Sequence, residues 1–273
     1  MLKTSLRVMI LKLLDIKLCR NFFDFIIQSI FHKNEVIYYN NTEFNFSSPN
    51  YLTSWRYNTF ATKEPETLKW IDSMEPNSTF WDIGANVGLY SIYAAKSKKS
   101  KVVSFEPSVF NLEILARNVE LNNLTSLVCI FPLPLSNMSD KNIMHFTTTQ
   151  WGGALSTFGE DIGPDGESIN EVFGYQTYGI TMDDVSHHLN LSNPDYIKID
   201  VDGIEHLILS AGLNVLENVK EVLIEINDDF TYQSTICNQI LINSGLKLKR
   251  KDSADVISNN SASNVFNQVW SRD

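Results

Sequence analysis

Three short segments hold residues whose types and spacing could do chemistry. The first is Asp82-Ile83-Gly84-Ala85-Asn86-Val87-Gly88, which follows the apolar run TFWDI and leads into LYSIYAAKSK, a helical stretch. Gly84 suits a tight turn, and Gly88 lets the helix approach the strand closely. A helix N-terminus then aims free backbone amides at a ligand. A nicotinamide-dinucleotide fingerprint wants glycine at 84, 86 and 89, but positions 86 and 89 are Asn and Leu. Asp82, two residues before the first glycine, suits a cationic ligand better than a pyrophosphate. S-adenosylmethionine is such a ligand, with a sulfonium and an ammonium group. The second segment is KVVSFEP, whose Glu106 stands 22 residues after Gly84. A strand-end acid can accept hydrogen bonds from ribose hydroxyls, which serves either cofactor. Asp82, Gly84, Asn86, Gly88, Glu106 and Ser136 are the expected cofactor-binding set.

The third segment is YIKIDVDGIEH, residues 196–206. Asp200 ends a buried strand, where a transferring methyl should sit. It is the first choice for a base that takes the acceptor's proton, with Glu205 and His206 behind it. Asp202 and Glu205 equally suit the start of a helix, where acids complement the dipole and cap free amides. A metal reading uses Asp200 with Glu225 or Asn227, on the neighbouring strand end, as hard oxygen ligands for Mg²⁺. His187 and His188, in TMDDVSHHLN, read as solvated.

These segments need elements to hold them. From Thr79 onward, short apolar runs alternate with helical stretches, which predicts an α/β fold with a doubly wound, mostly parallel, Rossmann-like sheet. LKLKR and NVFNQVWSR are late strand candidates. Residues 137–180, rich in Gly, Thr, Tyr and Phe, break the alternation and read as an inserted hairpin and loop. Residues 35–60 read as a small hairpin followed by a loop, and 62–74 as a helix with Thr62 a possible cap. The expected division is an N-terminal helical and aromatic arm, 1–60, and a catalytic domain, 61–273. Trp55, Tyr57, Trp151, Phe173, Tyr175 and Tyr178 could form a wall for stacking a sugar, or serve as local core under a long loop.

The chain has 273 residues, 43% hydrophobic and 20% charged, which allows a sizeable core. A net charge of −10 disfavours a nucleic-acid partner. Cys19, Cys129 and Cys237 match no metal-ligand spacing, so a reducing cytoplasm is the simplest location. Cys129, in LVCIF, reads as core. Residues 1–20 carry Lys3, Arg7, Lys12, Lys17 and Arg20 among apolar residues at helical spacing. They read either as a helix packed on the domain or as a basic amphipathic helix in peripheral contact with an anionic membrane.

The succession FWDIGANVGLYS, VVSFEPS, TMDDV, YIKIDVDGIEHLIL and VLIEIN resembles the FkbM family of methyltransferases over about residues 55–250. The segment KIDVDGIE is the most specific part, with Asp202 where the family usually has Glu. The resemblance implies a class I methyltransferase fold and S-adenosylmethionine-dependent O-methylation of a hydroxyl, often on a sugar or polyketide. The expectation is therefore an enzyme acting on a glycan or glycolipid precursor. Its competitors are a methyltransferase fold kept as a non-catalytic interaction protein and a nicotinamide-dependent oxidoreductase.

Overall fold

The computed structural model describes residues 2–188, 191–254 and 264–272, with side chains from Arg7 onward. The side chains of Leu2, Lys3 and Leu6, part of the amphipathic pattern, thus lie outside the described set, as do Leu189 and Asn190 of TMDDVSHHLN.

The arm begins with helices α1 (Leu2–Leu14) and α2 (Lys17–Phe31) and the antiparallel hairpin β1 (Asn34–Tyr39) and β2 (Thr42–Ser47). Where the sequence predicts a loop, helix α3 (Tyr51–Asn58) follows. Its start is a capping box: Asn50 Oδ1 accepts from the Thr53 amide, and Thr53 Oγ1 accepts from the Asn50 amide. Helix α4 (Pro65–Ser73) begins on a proline whose missing N–H costs nothing at that position; its cap residue is Glu64, not Thr62.

The alternation then runs β3 (Thr79–Ile83), α5 (Leu89–Lys98), β4 (Lys101–Phe105), α6 (Val109–Leu121) and β5 (Val128–Phe131). The insertion is a three-stranded antiparallel sheet of β6 (Lys141–Phe146), β7 (Ser156–Phe158) and β8 (Phe173–Tyr178), with β6 in the middle. After it come α7 (Met182–His188), β9 (Tyr196–Ile199), α8 (Glu205–Ser210), α9 (Leu213–Leu216), β10 (Glu221–Asn227), α10 (Thr231–Asn243), β11 (Lys247–Ser253) and β12 (Val265–Ser271).

The main sheet has the order β11-β12-β10-β9-β3-β4-β5. The five strands from β5 to β10 are parallel, and β12 runs antiparallel between β10 and β11. This is the doubly wound sheet the sequence predicts. Successive strands step outward from β3 through β4 to β5, then return to the other side of β3 as β9 and β10. The reversal lies between β3 and β9, and crevices form beyond the carboxyl ends of strands at such a point.

Both faces of the sheet are covered, so its central strands are mostly apolar rather than alternating, with Asp82, Ser104 and Lys198 buried among the apolar residues. Phe80 packs with Val102, Ile92 and Ile114 on one face, and Trp81 with Val103, Ile208 and Leu241 on the other. The second half of the arm joins the first face: Phe44, Phe46, Tyr57 and Phe60 are buried beside Tyr93. Cys129 departs from expectation. It is exposed, because β5 is the sheet's edge strand and lacks a neighbour on one side.

Gly84 fixes the approach of the two strand ends at the reversal. Its φ is +81°, and a Cβ there would lie 1.9 Å from the Asp200 carbonyl oxygen. The Gly84→Ala variant should therefore lose more than about 2 kcal/mol of stability, from a left-handed backbone plus a clash with main chain. Urea unfolding monitored by circular dichroism measures this. A loss below about 0.5 kcal/mol would show that the strand ends part freely.

Candidate active site

A cavity of about 310 Å³ opens beyond the carboxyl ends of β3, β4, β9 and β10, at the reversal point. Its floor comes from the sheet side: Gly84, Asn86, Glu106, Lys198, Asp200, Asp202 and Glu225. Its opposite wall comes from the arm, with Trp55, Arg56, Lys63 and Glu64, and from the insertion, with Met144, Gly153 and Ser156.

Glu106 is buried, and its two oxygens accept from the backbone amides of Asn86 and Ser108, at 2.7 and 2.8 Å. Burial still pushes its pKa up to about 7, against the lowering effect of those amides. Asn86 has left-handed φ, and its side-chain Nδ2 donates to the Gly153 carbonyl at 2.7 Å. Asn86 Oδ1 is buried without a hydrogen-bond partner.

Lys198, 1% exposed, sends its ammonium along the strand to Asp200 Oδ2 at 2.8 Å and over the Tyr90 ring. Burial alone would lower the Lys198 pKa, but Asp200, Asp82 and Glu64 together raise it. Burial pushes the Asp200 carboxyl up, but Lys198, Lys63 and Arg56 outweigh it and hold the group below the usual range. Glu225 behaves oppositely. Burial raises it well above its ordinary value, and Asp200, Glu64 and Asp202 raise it further. Among the described residues, nothing hydrogen-bonds the Glu225 carboxyl. The register pairs Ile224 with Ile199, so Glu225 and Asp200 follow side by side on neighbouring strands.

The insertion closes over this floor. The Trp151 carbonyl accepts from Asn50, the Gly152 carbonyl from Arg56 Nε at 2.6 Å, and the Gly153 carbonyl from both Asn86 and Asn111. Asp202 Oδ2 accepts from the Leu155 amide at 2.7 Å, and burial followed by Asp200 lifts the Asp202 pKa to about 6.

Not every expected residue reaches the cavity. Asp82 is fully buried one residue before the strand end and accepts from Ser91 Oγ beneath α5. Ser136 is buried away from the cavity, where its amide donates to the Ile180 carbonyl. Gly88 does not line the cavity and acts as the α5 cap, with φ +84°. Glu205, a candidate base, turns back to accept from the Val201 and Gly203 amides and from Gln233. His206 packs against Phe230 and Tyr232. Asn227 donates to the Pro164 carbonyl and does not join Asp200 and Glu225 in the cavity lining. No group of three or more His, Cys, Asp or Glu among the described residues is arranged to hold a metal. Of the six aromatics proposed as a wall, Trp55 alone lines the cavity. Tyr57 is stacked on Phe46 in the core, and Phe173 and Tyr175 pack on Phe146 within the insertion.

A model of the methyltransferase FkbM domain matches residues 82–249. The chain belongs to the FkbM methyltransferase family. The family's methyl donor is S-adenosylmethionine. The match takes in the cavity floor and leaves the arm side of the wall outside it. The hexuronic acid methyltransferase AglP of Haloferax volcanii is 23% identical over 174 residues, which are 63% of this chain and 66% of that one. The chain thus spans just under two thirds of that relative's length. Solved structures with loosely similar shape include the precorrin-6y C5,15-methyltransferase of Geobacter metallireducens, with TM-score 0.42, 13% identity, and 76% and 86% of the two chains covered. Another is TYW2 of M. jannaschii in complex with AdoMet, with TM-score 0.44, 12% identity, and 88% and 87% covered. The strand order carries the fold assignment, not these likenesses.

The floor of this FkbM site fits its donor. Asn86 Oδ1 is a buried acceptor left without a partner, Gly84 keeps the entry clear of a side chain, and the carboxylates favour a cation. The Lys198–Asp200 pair should be part of the fold as well. Lys198→Met removes the cation and leaves Asp200 beside three other acids, so stability should fall by about 2–4 kcal/mol. Adding Asp200→Leu should restore part of it. Denaturant midpoints of the two variants decide the matter, and a fully additive double loss would deny the pairing.

Proposed function

We propose that the chain transfers the methyl group of S-adenosylmethionine to an oxygen of a sugar, within a glycan or glycolipid precursor. The observation that carries this reading is the two-sided cavity. Its floor is acidic and made by the strand ends, whereas its arm wall carries the Arg56 guanidinium, the Lys63–Glu64 ion pair and the Trp55 ring. An indole face suits a sugar ring, and a guanidinium suits a sugar that carries an acid. The AglP relative, a hexuronic acid methyltransferase, supports the same acceptor class.

Glu106 would hold the ribose hydroxyls, and Asn86 with the turn at Gly84 would line the donor's bed. When bound, S-adenosylmethionine supplies an electrophilic methyl group. The chain's own residues must align the acceptor oxygen and receive its proton. Asp200 is paired with Lys198 and held down in pKa, which makes it a poor base and a good orienting acceptor. Glu225 is unpaired and shifted upward. A cation entering beside it lowers that value again, which leaves a carboxylate of raised basicity at the moment of transfer. We assign it the proton.

The test is incubation with methyl-labelled donor and a panel of hexuronic acids, neutral hexoses and envelope glycans. Alkali-stable label identifies a methyl ether, and alkali-labile label a methyl ester. Absence of label on every sugar overturns the reading. In the active pairing, Glu225→Gln should lower turnover by roughly 10²–10⁴ and leave donor affinity within about threefold. If Asp200→Asn collapses turnover and Glu225→Gln does not, the proton goes to Asp200.

Donor affinity should also depend on pH. A ligand whose hydroxyls donate to Glu106 binds its charged form, and that group titrates near pH 7 in the free protein. Affinity should therefore fall as pH drops from about 8 to about 6, with proton release on binding. Calorimetry in buffers of different ionisation enthalpy reads this directly, and Glu106→Gln should flatten the profile.

A further inference from the structure

We infer that the α1–α2 hairpin docks flat on an anionic membrane surface and holds the cavity rim beside it. This goes beyond the transfer reaction and does not depend on which oxygen is methylated.

Helix α2 has no buried residue. Leu18, Phe22 and Phe25 are 79%, 61% and 68% exposed. Their spacing of four and three residues puts them on one face. On α1, Val8, Met9 and Leu11 are each about half exposed. Neither helix, at 13 and 15 residues, can cross a bilayer, and no helix of the described residues is long and apolar enough to do so. An apolar row this exposed on a short helix suits burial at the headgroup boundary instead.

Charge identifies the surface. Residues 1–33 carry six Lys or Arg against two acids, whereas the remaining 240 carry 16 against 30. Arg7, Lys12, Lys17, Arg20 and Lys33 are exposed. The basic end is drawn to anionic lipid, and the acidic body is repelled from it. Together these set one orientation. A row of convex aromatic and aliphatic side chains needs no shaped counterpart, and fluid lipid does not offer one.

The hairpin is tied to the catalytic body at its far end. The Phe31 ring meets Trp151 edge-on at 5.0 Å, and the Arg117 guanidinium lies 5.3 Å from the same ring. Trp151 precedes Gly152 and Gly153, the segment pinned over the cavity by Arg56, Asn86 and Asn111. A docked hairpin therefore sets the cavity rim near the lipid surface, where an acceptor carried on a lipid would be presented.

The full chain should be tested by flotation with phosphatidylcholine vesicles and with the same vesicles containing phosphatidylglycerol. Binding is expected only to the anionic vesicles and should weaken as salt rises. The Phe22→Asp/Phe25→Asp variant and the Lys12→Glu/Lys17→Glu/Arg20→Glu variant should each bind on the order of tenfold more weakly or worse. Both should keep the wild-type circular dichroism spectrum and donor affinity, since these side chains are exposed and none of them lines the cavity. No binding to anionic vesicles, or equal binding by both variants and wild type, overturns the inference. So does a wild-type dimer in light scattering that becomes a monomer in Phe22→Asp/Phe25→Asp without any vesicle binding, because the face would then belong to a second copy.

Discussion

A lysine ammonium with almost no access to water is the constraint on which the rest of the site depends. Lys198 sits mid-strand in the apolar run YIKI, in the middle of the sheet. Desolvating such a charge costs several kcal/mol unless partners surround it. Asp200 binds it directly, and Asp82 and Glu64 add to its field. The acids at the strand ends are thus partly the counter-charge of one buried cation. That explains how Asp200 stays ionised while Glu225, beside it on the next strand, is driven toward its neutral form. One pair of adjacent carboxyls is split into two different acids by which of them the lysine reaches.

The second organising fact is that the cavity is assembled by three separate stretches of chain. The strand ends make the floor; α3, the segment that follows it up to Glu64, and the insertion make the wall. Five hydrogen bonds to backbone groups of residues 151–155 join them, through Asn50, Arg56, Asn86, Asn111 and Asp202. Because the contacts run to backbone groups, the insertion can vary in side chain while its path stays fixed. The floor and the insertion lie within the family match, and the arm side of the wall lies outside it.

The sheet and the floor were legible in the sequence because both follow from strong local patterns. Buried parallel strands read as continuous apolar runs, and a glycine turn between a strand and a helix marks the crevice. What local pattern does not carry is side-chain direction. Asp82 and Glu106 both stand at strand ends, yet one points under α5 and the other into the cavity. Glu205 and His206 follow Asp200 closely in sequence, but the start of α8 turns them into cap and core roles. Arg56, Lys63 and Glu64 left no signal because their segment approaches the strands only through tertiary packing. Lys198 did leave a signal: a lysine inside a four-residue apolar strand has to be paired with something buried.

Asp202 shows how a departure from the family pattern can be absorbed. Its φ is +61°, and that of Leu155, whose amide it accepts, is +58°. The left-handed region is tolerated by aspartate better than by most residues, because a short polar side chain can bond nearby backbone. A leucine there is strained, and strain of that kind persists only where surrounding contacts over-determine it. Here the Asp202 carboxylate supplies one such contact, and the pinned glycines just before Leu155 supply others. The shorter acid therefore fits a lid-anchoring role in which it reaches across to the insertion.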